Sequence, residues 1–343
     1  MNELGSIDKS IRGTIAEPER IVINEEKIKP YDKIPMSKDK ISTRKAYGNA
    51  LVNIFLKYPG IVVLDAEVSN STFSEIFQKY FPQRFFEMYI AEQNMIGTAI
   101  GLSLRGKIPF VSTFAAFLSR AFDQIRMSQY SNTNIKFVGS HSGVSIGEDG
   151  SSQMGLEDIA MFRTLNNSVV LYPSDGISTE KLVEEAAGHY GNVYIRTTRM
   201  DTPIIYDEND IFKIGGSKII KQSENDAVTV CAAGITLHEA LKAYEELKKE
   251  NITIRVIDVY SIKPVDREAI IKAQEETRAI LTVEDHYAEG GLGEAIKSIA
   301  SVKCPVYSLA VRKIPRSGKP DELLDYEGIS SMAIIGKVKE LTV

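Results

Sequence analysis

Only two cysteines, Cys231 and Cys304, occur in the 343 residues, and each lies in an apolar stretch (VTVCAAG and VKCPVYS). Two such positions read as buried thiols in a reducing compartment, not as a disulfide framework or a metal site. No run of eighteen apolar residues is present, which excludes a membrane-spanning helix. The opening MNELGSIDKSIRG lacks the apolar stretch of a secretory leader. An excess of positive charge is missing as well: 41 Lys and Arg face 46 Asp and Glu, a net charge of −5. That balance argues against a nucleic-acid or anionic-membrane surface while leaving room for a local basic pocket. The expectation is a soluble cytoplasmic protein.

The length suits two domains of roughly 150 residues each. Residues 1–40 stand apart, with sixteen charged residues, prolines at 18, 30 and 35, and no sustained apolar period. They read as an extended arm or linker. From Ser42, a potential helix cap, apolar residues Ala46, Ala50, Leu51, Ile54 and Phe55 share one helical face that closes at Pro59-Gly60. IVVLDAE follows, a continuous apolar run of the kind that parallel sheets bury on both faces. The alternation continues with a helix at 73–80, a strand MYI at 88–90 and a helix through AEQNMIGTAIGLSL. Next come IPFVSTF, a long helix at 115–131, IKFVGSH, a loop at 142–155, a helix, SVVLYPSD, a helix at 177–189 and VYIRTTR. Such alternation predicts βαβ units in a parallel sheet over 41–206. The polar stretch 201–226 marks a boundary. A second α/β domain spans 207–343: VTVCAAG, a helix over 236–249, IRVIDVYSI, a helix over 266–276, AILTVED, EGGLG into a helix, and VYSLAV. The fold class is α/β, two parallel-sheet domains.

Ligands of open parallel sheets sit beyond the carboxyl ends of the strands. Four segments place polar groups there together: AEQN, STFAAF, SHSGVSIGEDGSSQ and RTTR. Glu92 begins an apolar helix; its carboxylate suits either the helix dipole or a desolvated hydrogen bond to a heterocyclic nitrogen. Phe114 and Phe117, three apart at a strand-to-helix junction, are either core or a flat wall for a ring. His141 ends a strand, and Asp149 sits in GEDG, where glycines admit close backbone approach. Arg196 can point into packing and Arg199 outward, or each can pair with surface carboxylates; an arginine is also the natural fork for a phosphate.

Joined motifs go further. STRKAYGNAL, NSTFSEIF, MYIAEQNM, STFAAFLSRAFDQIRMS, GSHSGVSIGEDGSSQMGLEDIAMFR and LYPSDG resemble the pyrimidine-binding domain of transketolases, close to the animal-type branch. LTVEDHYAEGGLGEA and IPRSGKP resemble the transketolase C-terminal domain, so the likeness runs from about Ser42 to the end. GGLG at 290–293 alone is a weak dinucleotide signal and reads as a helix-entry loop.

The resemblance implies thiamine diphosphate chemistry. Glu92 matches the glutamate that hydrogen-bonds the aminopyrimidine and favours its imino tautomer. Phe117 matches the aromatic stacked on that ring, with Phe114 beside it. Arg44, Ser71, His141 and Arg199 match sugar-phosphate anchors, and Asp149 matches the contact to a substrate hydroxyl. Gln153 stands where microbial and plant members carry histidine; an amide orients a hydroxyl but donates a proton poorly, which assigns it to binding. The family's GDG motif with its downstream asparagine, which holds Mg²⁺ and the diphosphate, is not found in this sequence. The resemblance thus implies the C-terminal half of a split enzyme, self-dimerising and joined to an N-terminal subunit as α2β2. Its reaction would be ketol transfer between sugar phosphates, as in the pentose phosphate pathway. The rivals are the β subunit of a 2-oxo acid dehydrogenase, which has no need of the phosphate anchors, and 1-deoxyxylulose-5-phosphate synthase, whose loop differs from GSHSGVSIGEDG. A non-catalytic pseudo-subunit is opposed by the intact Glu92, Phe117, His141 and Asp149.

Overall fold

A computed structural model describes residues 31–301 and 304–342. Most of the arm expected over 1–40 lies outside the described residues. From Lys33 the chain has no regular element before Lys40, yet Ile34 is pinned: its N–H donates to Asn53 Oδ1 at 2.8 Å, and Asn53 Nδ2 donates back to its carbonyl at 3.0 Å.

Strand β1 (Lys40–Ser42) enters α1 (Thr43–Ile54). Ser42 occupies the N-cap position in extended conformation, although its side chain makes no capping bond. The helix buries Ala46, Ala50, Leu51 and Ile54, and a leucine fully removed from water contributes about 1.5–3 kcal/mol.

The larger sheet holds β2 (Ile61–Asp65), β3 (Phe85–Glu87), β4 (Ile108–Phe114), β5 (Lys136–Ser140), β6 (Val169–Leu171) and β7 (Val193–Arg196). Between them run α2 (Ser69–Thr72), α3 (Glu75–Tyr80), α4 (Glu92–Leu104), α5 (Phe122–Tyr130), α6 (Asp158–Thr164) and α7 (Gly176–Gly188). These six strands are parallel, in the order β6-β7-β5-β4-β2-β3. Strand β8 (Asp201–Pro203) then returns to pair antiparallel with β1.

The second sheet is built from β9 (Lys218–Lys221), β10 (Val228–Ala232) and β11 (Ile254–Asp258). A short β12 (Ser261–Lys263) precedes β13 (Ala279–Tyr287) and β14 (Val306–Val311). Its order is β14-β13-β10-β11-β9, parallel except for the edge strand β9. Around it lie α8 (Ile235–Lys249), α9 (Arg267–Glu276), α10 (Leu292–Lys297), α11 (Pro320–Glu327) and α12 (Ser331–Thr342).

Several local readings are corrected. IRVIDVYSI is two strands: after β11 the chain crosses over, and β12 joins the larger sheet antiparallel to β6. The strand expected at MYI lies earlier, at Phe85–Glu87. FFEMYI is apolar almost throughout, so periodicity cannot place its end; Tyr89 adopts a left-handed φ of 54°, and both Tyr89 and Ile90 face solvent. The helix expected at 73–80 begins only at Glu75, as α3, because Phe73, also left-handed at φ 61°, ends α2. The first seven residues of the helix expected at 115–131 form a tighter 3₁₀ turn, Ala115–Ala121.

Candidate active site

The polar loops do converge at the carboxyl ends of the parallel strands. Glu92 opens α4 and is buried. Arg120, from the Ala115–Ala121 turn, approaches it with Nε 3.5 Å from Oε2, its own side chain reaching in from solvent. That turn follows β4 directly, so it brings Phe117 to the same neighbourhood.

From there a run of rings leads inward. Phe114 and Phe117 are stacked at 5.1 Å and 14°, and Phe114 is stacked on His141 at 3.8 Å and 17°. His141 Nδ1 lies 2.6 Å from Ser140 Oγ. Burial, reinforced by the positive fields of Arg44 and Arg199, pushes its pKa down to about 3. The imidazole is therefore neutral at physiological pH and offers a hydrogen bond, not a charge. His141 also holds a left-handed φ of 56°, a conformation that persists in a non-glycine residue only where its surroundings over-determine it.

Beyond His141 stand the arginines. Arg44, on the first turn of α1, donates through Nη1 to the Ser71 carbonyl at 2.7 Å and through Nε to the Arg199 carbonyl at 3.3 Å. Arg199 donates to the Ile146 carbonyl at 2.7 Å and lies 3.4 Å from Asp149 Oδ1. Burial, then the field of Arg199, lowers the pKa of Arg44. Arg44, whose bonds go to backbone carbonyls, keeps its charge available to an anion, whereas Arg199 shares its charge with Asp149 and, at 4.0 Å, with Glu148.

Arg44, Ser71, His141, Asp149 and Arg199 are thus gathered, and Glu92, Phe117 and Phe114 lead up to them. Gln153 lies in the 3₁₀ turn Ser151–Gln153, which packs against Ala115–Ala121.

Arg196 points inward. It is fully buried, with Nε 2.7 Å from Asp158 Oδ2 and Nη1 2.7 Å from Asp285 Oδ1. Its Nη2 donates to the Gly155 and Asp285 carbonyls at 2.9 and 3.1 Å. Asp285 belongs to β13 of the second sheet, so this cluster ties the loop after His141 to both sheets. Gly143 requires its glycine here: φ is +77°, and a Cβ would fall 1.8 Å from Asp285 Oδ2. Sequence reasoning missed Asp285 and Arg120; the only signal for Asp285 was a carboxylate at the end of the apolar run AILTVED.

A buried carboxylate beside an open turn with a flat aromatic wall fits the aminopyrimidine of a thiamine cofactor. Among the described residues there is no group of three or more His, Cys, Asp or Glu that could hold a metal ion, and no helix is long and apolar enough to cross a membrane.

Comparison with known proteins places this architecture. The transketolase pyrimidine-binding domain matches residues 39–204, and the transketolase C-terminal domain matches residues 217–334. Human transketolase is 55% identical over 307 residues, covering 88% of this chain and 49% of that protein. Transketolase-like protein 2 of Mus musculus is 56% identical over 306 residues, with the same coverage. A structure described as a split gene transketolase, inactive beta4 tetramer, superposes with a TM-score of 0.80 at 39% identity, covering 88% of this chain and 98% of that one. The Campylobacter jejuni transketolase shares the fold at 19% identity and a TM-score of 0.77. The chain belongs to the transketolase family, a family of ketol-transferring enzymes. It spans about half the length of the curated relatives it matches.

Proposed function

We propose that this chain is the C-terminal-half subunit of a thiamine diphosphate-dependent transketolase, active with a second, N-terminal subunit that carries the Mg²⁺ and diphosphate site. The observation that carries the reading is the ring stack of Phe117, Phe114 and His141, which has the fields of Arg44 and Arg199 at its inner end and, near its outer end, Glu92 paired with Arg120 of the turn that carries Phe117. It supplies a carboxylate and a flat wall at one end and paired cations at the other, as a ring cofactor beside a sugar phosphate requires.

When bound, thiamine diphosphate supplies a nucleophilic ring carbon and an electron sink for the two-carbon unit. The residues of this chain do the rest. Glu92 hydrogen-bonds the aminopyrimidine nitrogen and so sets its tautomer, and Phe117 with Phe114 fixes the plane of the ring. Neutral His141 hydrogen-bonds substrate oxygen. Arg44, Ser71 and Arg199 hold the phosphate, while Asp149 and Gln153 orient hydroxyls. The donor is a ketose phosphate and the acceptor an aldose phosphate. The division into domains at 41–206 and 207–343 is supported by the gap between the two matched segments.

Half-length coverage and the split-gene relative, itself described as an inactive β4 tetramer, support a self-associating subunit that forms α2β2 with its partner. The buried thiols of Cys231 and Cys304 suit the cytoplasm. Isothermal titration of the isolated chain with thiamine diphosphate and Mg²⁺ should show weak or no binding. Adding the subunit that bears the GDG motif should restore tight binding and ketol transfer together. Ketol transfer by this chain alone would overturn the proposal.

A further inference from the structure

Asp65 closes β2 and is fully buried, yet none of the roles above uses it. Its Oδ2 accepts from Thr72 Oγ1 at 2.7 Å and from Ser74 Oγ at 2.8 Å, while Oδ1 accepts from the Val68 N–H at 2.8 Å. One carboxylate therefore ties down both ends of the turn that contains Ser71. Burial pushes its pKa up to about 6, against the pull of these three donors. The turn it closes is an unfavourable one, since Glu67 and Phe73, neither of them glycine, are left-handed at φ 63° and 61°. Such a conformation needs an anchor.

The consequence falls on Arg44. The Ser71 carbonyl accepts from its Nη1 at 2.7 Å, and the Phe73 ring lies beneath its guanidinium at 5.0 Å. Two of the three groups that seat the guanidinium therefore come from the residues that flank Thr72, the third being the Arg199 carbonyl. The turn also packs onto α1 without slack: a Cβ at Gly48 would lie 2.3 Å from the Phe73 carbonyl oxygen.

We propose that Asp65 is a positioning residue for phosphate binding, holding the 66–74 turn so that the Ser71 carbonyl and the Phe73 ring aim the Arg44 guanidinium at the substrate's phosphate. The inference rests on the phosphate reading of Arg44, Ser71 and Arg199. It needs no partner subunit to test, because all of these residues lie on this chain.

The full chain, folded by circular dichroism, is titrated calorimetrically with ribose 5-phosphate and with ribose. In Asp65→Ala the dissociation constant for ribose 5-phosphate should rise about tenfold, the loss expected when a charge-assisted contact is misaimed. Asp65→Asn, whose amide still fits the turn once the two hydroxyls rotate, should recover most of that affinity. Unchanged affinity in a folded Asp65→Ala, or an Asn variant no better than Ala, overturns the proposal. Should Asp65→Ala fail to fold, Thr72→Val decides: it removes one clamp bond, so a smaller rise supports the proposal and none overturns it. Arg44→Ala separates the two levels of argument. If wild type fails to prefer ribose 5-phosphate, or Arg44→Ala leaves that preference intact, the phosphate reading itself falls. If Arg44→Ala abolishes the preference while the Asp65 and Thr72 variants keep it, the Asp65 role alone falls.

Discussion

Replacing Arg196 with methionine tests the cluster that joins the two sheets. In the native chain one guanidinium faces two carboxylates, and all three side chains are at most 1% exposed. Tyr172 completes the shell, its ring 4.6 Å from the guanidinium and its hydroxyl about 3 Å from both Asp285 oxygens. The formal charge is −1, and the two acids respond differently. Burial works to raise Asp158, but Arg196, the nearby His286 and the Tyr194 hydroxyl override it and hold the acid below its usual range. For Asp285 burial prevails over the same arginine, and its pKa is raised. Methionine fills much of the space but leaves both carboxylates without their cation. Breaking a buried pair in this way costs about 3–5 kcal/mol, or roughly 10 °C in Tm at the sensitivity of a large domain.

The pH dependence has a definite sign. A carboxylate with a depressed folded pKa contributes stability above its unfolded value that is lost on acidification; one with a raised folded pKa costs stability that acidification returns. Without Arg196 both acids belong to the second class. The deficit of Arg196→Met should therefore be greatest near pH 7 and shrink towards pH 5. Thermal unfolding followed by circular dichroism at the two pH values measures both quantities. A deficit below about 1 kcal/mol, no larger than that of an exposed ion pair, would refute the reasoning. So would a deficit that holds steady on acidification.

Two further outcomes follow from the site. Glu92→Ala, assayed in the assembled complex at saturating cofactor, should lower kcat by about 10²–10⁴-fold, the usual span for lost acid–base assistance, with both subunits still folded. Arg199→Ala should raise KM for a phosphorylated donor by roughly ten- to a hundredfold, the equivalent of a charge-assisted hydrogen bond, and leave hydroxypyruvate almost unaffected. Equal losses with both donors would reassign this arginine to folding or to a subunit interface.

What could be read in the sequence was whatever rests on continuous patterns. The buried strands β2, β4, β5, β10 and β13 are runs of apolar residues between helical segments, and their number and order are visible in the chain. The inward Arg196 and outward Arg199 also follow from alternation along β7 and beyond it. Glu92, Phe117, His141 and Asp149 were singled out because each sits in a long joined motif; their residue types alone left bland alternatives open. What could not be read was long-range partnership. Asp158 and Asp285 meet Arg196 across sequence separations of 38 and 89 residues, and no local period encodes that meeting. The departure of β12 to the other sheet is hidden because VIDVYSI is as suitable for one strand as for two. Asp65 went unnoticed because a single acid at the end of IVVLD has no local signature of the turn it clamps.

The second sheet has a physical part in the site although it supplies none of the predicted contacts. The loop from His141 to Leu156 carries the imidazole, the GEDG aspartate and the carbonyl that receives Arg199. A loop of that length, left to itself, would sample many conformations, and ordering it costs about 1–2 kcal/mol per residue. Here it is gripped from both sides. The Gly143 N–H donates to the Gly155 carbonyl at 2.9 Å, and Arg196 from β7 reaches the same carbonyl. From the second sheet come Asp285, packed against Gly143, and the Tyr287 N–H, which donates to the Leu156 carbonyl at 3.1 Å. The segment before α11 lies against the turn itself: a Cβ on Gly150, which adopts φ +84°, would lie 2.6 Å from Ser317 Oγ. A site that must hold its groups within about 0.5 Å needs such a supporting shell. The IPRSGKP and VEDH segments, far along the chain from every predicted contact residue, provide it, which is a physical reason for both sheets to reside on one chain.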